Sequence, residues 1–378
     1  MIPAPVPKVN ADALRKATHP YSATENFQLD NAYPVVEGYE DASGVRAAGV
    51  GMRFNFSDRL GATGLNVTAS VSPNKNLADN ERLHMRAVFR HWNWTVTGNL
   101  NRADFYDLFG PTKVSRKGYS LSTEYLGNLI LDGPTSMYYR LRAAGYGGLS
   151  TVPEFQGIAA SSDKLGSLLG DLEYKSLRKS LGAIDDELGS TWEADARSNI
   201  ANSTFYPRVN LEGSKGFLLP LNHSSVWLRA AAGSSFGGNR NDPFARSYFG
   251  GFGNNWVDYR SIKQFRNTEA FPGLEINEIS GATYAKGQME WVSPPLRFRK
   301  VGVPAAYLRW AGLSAFASGL VTDFDESARK GYVNVGAQAD LRMITLSHLE
   351  STFSIGAATA AGQGLRRRSQ LMASFKLM

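Results

Sequence analysis

The sequence predicts an all-β protein: a transmembrane antiparallel β-barrel of about 16 strands, with a long loop folded into its lumen. Three observations predict it. Runs of strand length alternate apolar and polar residues along most of the chain, connections alternate between short and long, and one Gly- and aromatic-rich segment is too long and irregular for a simple turn. Strands place successive side chains on opposite faces, and a membrane barrel needs one face for lipid and one for a polar lumen.

The totals agree with this class. Of 378 residues, 43% are hydrophobic and 20% charged, with 38 glycines and no cysteine. Disulfides and thiol chemistry are therefore excluded. Mean hydropathy is −0.28, which a barrel reaches because half of each strand faces polar surroundings. There is no run of 18 apolar residues and hence no transmembrane helix. The formal charge of +7 is scattered rather than gathered in a tail, which argues against nucleic acid as a partner. The opening MIPAPVPKVNADALRK lacks the charged region and apolar core of a signal peptide, so an exported protein would begin upstream of Met1.

Residues 1–44 form an N-terminal segment whose pattern is weak, with one candidate strand between Phe27 and Tyr39. The barrel is expected over 45–378. Val50, Met52, Phe54 and Phe56 alternate with Gly51, Arg53 and Asn55. Leu65, Val67, Ala69 and Val71 alternate with Asn66, Thr68, Ser70 and Ser72. The next candidates are Leu83–Phe89, Trp92–Asn101, Gly118–Leu126, Ser136–Gly147, Leu165–Arg178, Ser190–Ala201, Ser203–Phe217 and Ser225–Phe236. Leu177 breaks the alternation of Leu165–Arg178, where helix stays open as an alternative. A long loop over 237–282 follows. Beyond it come Thr283–Val292, Ala305–Leu320, Gly331–Met343, Leu346–Thr359 and Arg368–Leu377. A bacterial barrel has an even strand number, so ten clear strands before the loop and five after it call for a first strand within residues 20–40.

This phase assigns faces. Val67, Ala69, Trp94, Val96, Phe375 and Leu377 should face lipid; Arg53, Asn66, Arg86, Asn99, Arg142, Arg229 and Glu290 should face the lumen. Trp92, Trp94, Tyr138, Tyr139, Trp227 and Trp310 are candidates for interfacial girdles, some of them for lumen packing. Arg366, Arg367 and Arg368 read as an interfacial or lipopolysaccharide-facing cluster in the last turn.

The long loop is the sharpest feature. It begins DPFARSYFGG, passes Arg266 in FRNTEAFPG, and leads to Glu290 in GQMEW. In this order the segment resembles the bacterial surface antigen family, the barrel superfamily of outer-membrane insertases and two-partner-secretion transporters. Eleven strands before the loop and five after it match that family's arrangement. Phrases such as ADFYDLFGPTKVSRKGYS and FPGLEINEISG resemble a subgroup whose barrel follows a Tol-type propeller. The resemblance implies localisation in the bacterial outer membrane and a role in moving or inserting polypeptide there. The alternative is a passive membrane anchor for a soluble periplasmic domain. It implies as partners outer-membrane lipid and lipopolysaccharide, a polypeptide substrate and a periplasmic partner domain. It also implies a loop motif of Phe249, Gly250, Gly251, Phe271 and Gly273, and a lumen latch between Arg266 and Glu290. Two departures stand out. Arg266 is followed by Asn267 rather than Gly, and Ala317 occupies the place of the Asp in the family's aromatic-x-Asp-x-Gly strand motif.

No catalytic set is legible: no Gly-x-Ser-x-Gly elbow and no Ser/His/Asp arrangement, so no enzyme is expected. The five histidines lack ligand spacing, and no metal or other cofactor is expected. Asp185, Asp186 and Glu187 read as a solvated turn rather than a calcium loop. Trp256, Tyr259, Phe249, Phe252 and Phe265 would be poorly placed in water, which favours a loop packed inside.

Overall fold

The computed structural model describes residues 21–377, apart from 24, 41–45, 76, 103–117, 149–161, 253–261, 300 and 347. The expectations for residues 1–20 and for Trp256 and Tyr259 lie outside the described residues.

Among the described residues there is no α-helix. The first eleven strands are β1 (Gln28–Glu40), β2 (Arg46–Ser57), β3 (Thr63–Val71), β4 (Leu83–His91), β5 (Trp94–Leu100), β6 (Tyr119–Asp132), β7 (Thr135–Gly147), β8 (Lys164–Arg178), β9 (Leu188–Ala201), β10 (Thr204–Leu218) and β11 (Ser225–Ser235). The long connection holds β12 (Ser247–Phe249) and β13 (Ile279–Gly281). The chain then forms β14 (Thr283–Val292), the two-residue pieces β15 (Leu296–Arg297) and β16 (Gly302–Val303), β17 (Ala306–Thr322), β18 (Lys330–Thr345), β19 (Leu349–Gly362) and β20 (Leu365–Leu377).

All but β12 and β13 belong to one 18-stranded antiparallel sheet. Sixteen of its strands are seven residues or longer, eleven before the long connection and five after it. The sheet is a meander. Each long strand pairs with the next, with β11 joining β14 and β14 joining β17 across the insertions. β12 and β13 pair with each other in a separate ribbon. Among the described residues no pairing joins β1 to β20.

Local differences from the expected elements have simple causes. β8 is a strand along its whole length, because β7 and β9 pair with it on both edges and tertiary pairing outweighs the broken alternation at Leu177. β6 runs on past Leu126, its expected end, through Gly127 to Asp132, with a bulge at Asn128/Ile130 that shifts the alternation. Arg366, Arg367 and Arg368 lie within β20, and Arg368 Nη1 donates 2.7 Å to Glu278 Oε1.

The register fixes which side chains share a face. Arg53 lies opposite Thr68, Thr68 opposite Arg86, and Arg86 opposite Asn99. The row continues through Ser120 to Tyr146, on the same strand face as Arg142. Arg142, Leu169, Arg197, Arg208 and Ser235 form a second row, and Ser235 shares its face with Arg229. Arg229 lies opposite Gln288, two residues from Glu290. Arg53, Asn66, Arg86, Asn99, Arg142, Arg229 and Glu290 thus share one face, here the inner face. By the same register Val67, Ala69, Trp94, Val96, Leu228, Met289 and Phe375 lie on the outer face; the side chain of Leu377 is outside the described residues. Trp94 and Tyr139 are outer-face residues. Tyr138, Trp227 and Trp310 are on the inner face, opposite Glu173, Glu290 and Arg342, and belong to no outer girdle.

The buried apolar core sits on the inner face, between the sheet and the long connection. Phe249, Phe271, Leu274 and Ile279 pack against Tyr284, Leu320, Tyr332 and Ala360. Phe252 and Phe265 pack against Phe316 and Ala358, the Phe265 and Phe316 rings stacking 4.3 Å apart. Nearer the start of the connection, Phe244 and Ala245 pack on Leu165, Ala201 and Tyr206.

Candidate functional site

The loop is held on the inner face by its backbone first. Phe249 ends β12, its ring edge-on to Tyr284 at 4.8 Å. Gly250 then adopts φ +154°, and a Cβ there would lie 1.8 Å from the Glu275 carbonyl oxygen. Gly251 bridges to Phe271, which is fully buried. Gly273 has φ +104°, and a Cβ would meet the Ala360 nitrogen of β19 at 2.6 Å. Only glycine fits such close backbone approaches at positive φ. The five loop-motif residues therefore form one element, the fold by which the segment doubles back against the sheet.

Sheet side chains then satisfy the loop carbonyls. Lys286 Nζ donates to the carbonyls of Asn267, Thr268 and Ala270 at 2.6–2.9 Å. Gln288 donates to the Phe265 carbonyl at 3.1 Å, Asn334 to that of Pro272 at 3.0 Å, and Gln338 to that of Ile262 at 3.1 Å. Gln370 of β20 accepts the Gly273 N–H at 3.0 Å. Buried backbone groups need such partners, so an irregular segment can lie here without large cost.

At the loop tip a single 3-10 turn, Gln264–Arg266, presents Arg266. Its Nε donates to Glu290 Oε2 at 2.9 Å and its Nη2 to Glu290 Oε1 at 2.8 Å, a bidentate pairing that suits guanidinium and carboxylate geometry. Glu290 is fully buried, and Arg229 Nη1 donates to its Oε2 at 2.7 Å. Arg266 Nη2 also donates to Asp185 Oδ2 at 2.6 Å, and Lys263 Nζ reaches the same oxygen at 3.0 Å.

Asp185 is the residue the sequence concealed. It sits in the β8–β9 connection, at the opposite end of the sheet from the connection that carries the loop. Asp185 is therefore not part of a solvated turn: the turn reaches inward and supplies a second carboxylate to Arg266. Burial pushes the Asp185 carboxyl up, but Arg266 and Lys263 outweigh this and hold it well below the usual carboxylate range. Burial would lower the Arg266 guanidinium; Glu290 and Asp185 outweigh that and raise it. Ala317, where an Asp was sought, is on the outer face opposite Met289 and Val335, so no side chain there could reach Arg266.

The sequence did signal Lys286 and Gln288, which alternate in phase with Glu290. It gave no signal for Lys263 or Asp185, the latter 81 residues from its partner. The arrangement is a charge cluster in which both oxygens of the buried Glu290 carboxylate accept from guanidiniums and Asp185 accepts from Arg266 and Lys263, which suits it to hold the loop tip.

No family model matches the sequence, and no curated protein matches it. Among solved structures the chain is similar to the crystal structure of Pseudomonas aeruginosa OccK11 (OpdR), with 13% identity, a TM-score of 0.40, and coverage of 92% of this chain and 93% of that one.

Proposed function

We propose that this chain is a bacterial outer-membrane β-barrel of 16 strands that moves or inserts polypeptide at the membrane. The inner-face loop plugs its lumen. The membrane reading is supported by the alternation: large apolar side chains such as Leu228, Met289, Val335 and Phe375 are exposed on the outer face, and charged ones lie inward. The transport reading is carried by one observation: long strands are zipped to their neighbours throughout, yet β1 and β20 do not pair among the described residues. An unpaired strand edge is a template for another strand, here that of a polypeptide substrate. Its test is reconstitution in lipid vesicles with an unfolded barrel protein as substrate. Membrane insertion of the substrate should be faster with this chain than without it. It should fall when cysteines introduced along β1 and β20 are cross-linked. Equal rates with and without the chain would reject the transport reading.

The second reading, a passive anchor for a periplasmic domain or partner, is favoured by the density of bonds on the loop. Three cations, two carboxylates and several side chain–carbonyl bonds make a fixed plug. In the same assay a passive anchor gives no acceleration.

A further inference from the structure

The connections at one end of the sheet share a property that neither the loop nor the strand pattern explains. This is the end where β2 meets β3, β4 meets β5, and so on to β18 and β19. Five of these connections expose a large apolar side chain, Leu60, Trp92, Leu181, Leu221 and Leu346, and Leu131 is exposed two residues before the Gly133–Pro134 turn of a sixth. The remaining connection, between β14 and β17, exposes Leu296, Val301 and Val303. Leu181 is fully exposed. Single exposed leucines are ordinary on any protein. One within six of the seven connections of one end is not, because the connections of the opposite end expose only Phe236 and Phe324 among their described residues, its other exposed apolar side chains, such as Val71, Leu83 and Leu100, belonging to the strands.

Resting on the membrane reading above, we infer that this end is an interfacial anchor: a ring of apolar tips seated in a phospholipid headgroup region. Three observations choose lipid as the occupant. The tips occur in six of the seven connections from β2–β3 to β18–β19, so whatever covers them surrounds the sheet. A docked protein would touch an arc of it. The same connections expose Arg59, Lys179, Arg297 and Arg299, cations that suit phosphate headgroups while their stems lie along apolar surface. The outer face just above the tips carries the aromatics expected at a membrane–water boundary. Trp94, the first residue of β5, meets Tyr125 of β6 edge-on at 4.9 Å, and Tyr174 stacks on Trp192 at 5.8 Å, each four residues from the end of its strand at the β8–β9 connection. The short connections therefore end inside the headgroup layer rather than standing clear of it.

The chain has no cysteine, so single labels can be placed without background. The test uses the full chain in vesicles of phosphatidylethanolamine and phosphatidylglycerol, with an environment-sensitive fluorophore on Leu60→Cys, Leu181→Cys or Leu346→Cys. Leu228→Cys on the outer face and Gln363→Cys at the opposite end are the comparison sites. The three tip labels should be blue-shifted, quenched by nitroxides on lipid headgroups and shielded from iodide. The Gln363 label should be open to iodide. Tip labels in water with Leu228 in lipid would overturn the anchor and leave the membrane reading standing. Leu228 in water as well would overturn both. Tip labels in water in vesicles but shielded in intact cells would assign the ring to a protein partner and overturn the proposal.

Discussion

Replacing Glu290 with glutamine should free the loop tip while leaving the sheet intact. Glu290 is fully buried and binds two guanidiniums, Arg266 and Arg229. The cluster holds three cations, Lys263, Arg229 and Arg266, against two carboxylates, Glu290 and Asp185. Glu290→Gln keeps the shape but leaves three positive charges facing one negative. Removing one partner of a buried pair costs about 3–5 kcal/mol. At about 1.4 kcal/mol per tenfold, the open loop becomes roughly 10²- to 10³-fold more populated, or more. Asp185→Asn should cost less, about 1.5–3 kcal/mol before allowance for its partial solvation, since its side chain is 27% exposed. The assay is limited trypsinolysis in detergent or vesicles. Cleavage after Lys263 and Arg266 reports loop opening, because opening precedes cleavage. Glu290→Gln should be cut fastest, Asp185→Asn at an intermediate rate and the unmodified chain slowest, with the heat-modifiable migration of the folded sheet unchanged. Equal rates for all three would refute the latch. Loss of the folded sheet in Glu290→Gln would refute the claim that the latch acts on the loop alone.

Three further outcomes follow from the same geometry. The double swap Arg266→Glu with Glu290→Arg should not restore protease protection, because the new carboxylate would face Asp185 and the new guanidinium would face Arg229; restoration would mean that Arg266 and Glu290 act as an isolated pair. For pH, Asp185 is held below its unfolded value of about 3.9, so its contribution is full above that value and is lost as pH falls through the depressed folded one. Loop protection should therefore stay flat from neutral pH down to about pH 4 and fall only below it, measured with pepsin at the acid end; a decline beginning near pH 6 would contradict the assignment. Gly250→Ala places a Cβ 1.8 Å from the Glu275 carbonyl oxygen and should destabilise the loop fold by about 1–3 kcal/mol or more, read as faster hydrogen exchange over residues 247–252 and 269–281.

Much of the fold was legible because strand alternation has a period of two and the two faces of the sheet carry opposite residue types. That is why Arg53 through Glu290 fall on one face as expected, and why an even strand number calls for a weakly patterned first strand where β1 lies. What was not legible depended on partners distant in sequence. β8 looks ambiguous alone and is fixed by its two neighbours. Trp227 and Trp310 match a girdle by residue type, but type carries no information about face. Asp185 is the sharpest instance. A motif reading seeks the second carboxylate for Arg266 at Ala317, yet that position points outward, and no substitution there could complete the latch. The physical requirement is only that a buried guanidinium meet enough negative charge. Any chain segment that can deliver a carboxylate to the same point satisfies it, and here a turn from the far end of the sheet does so. The consequence is mechanical as well as electrostatic. A carboxylate on β17 would tie the loop to the wall alone, whereas Asp185 ties it to the β8–β9 connection, linking the two ends of the sheet through Arg266. A pull on that connection would then be felt at the loop tip, a coupling that the strand pattern alone does not encode.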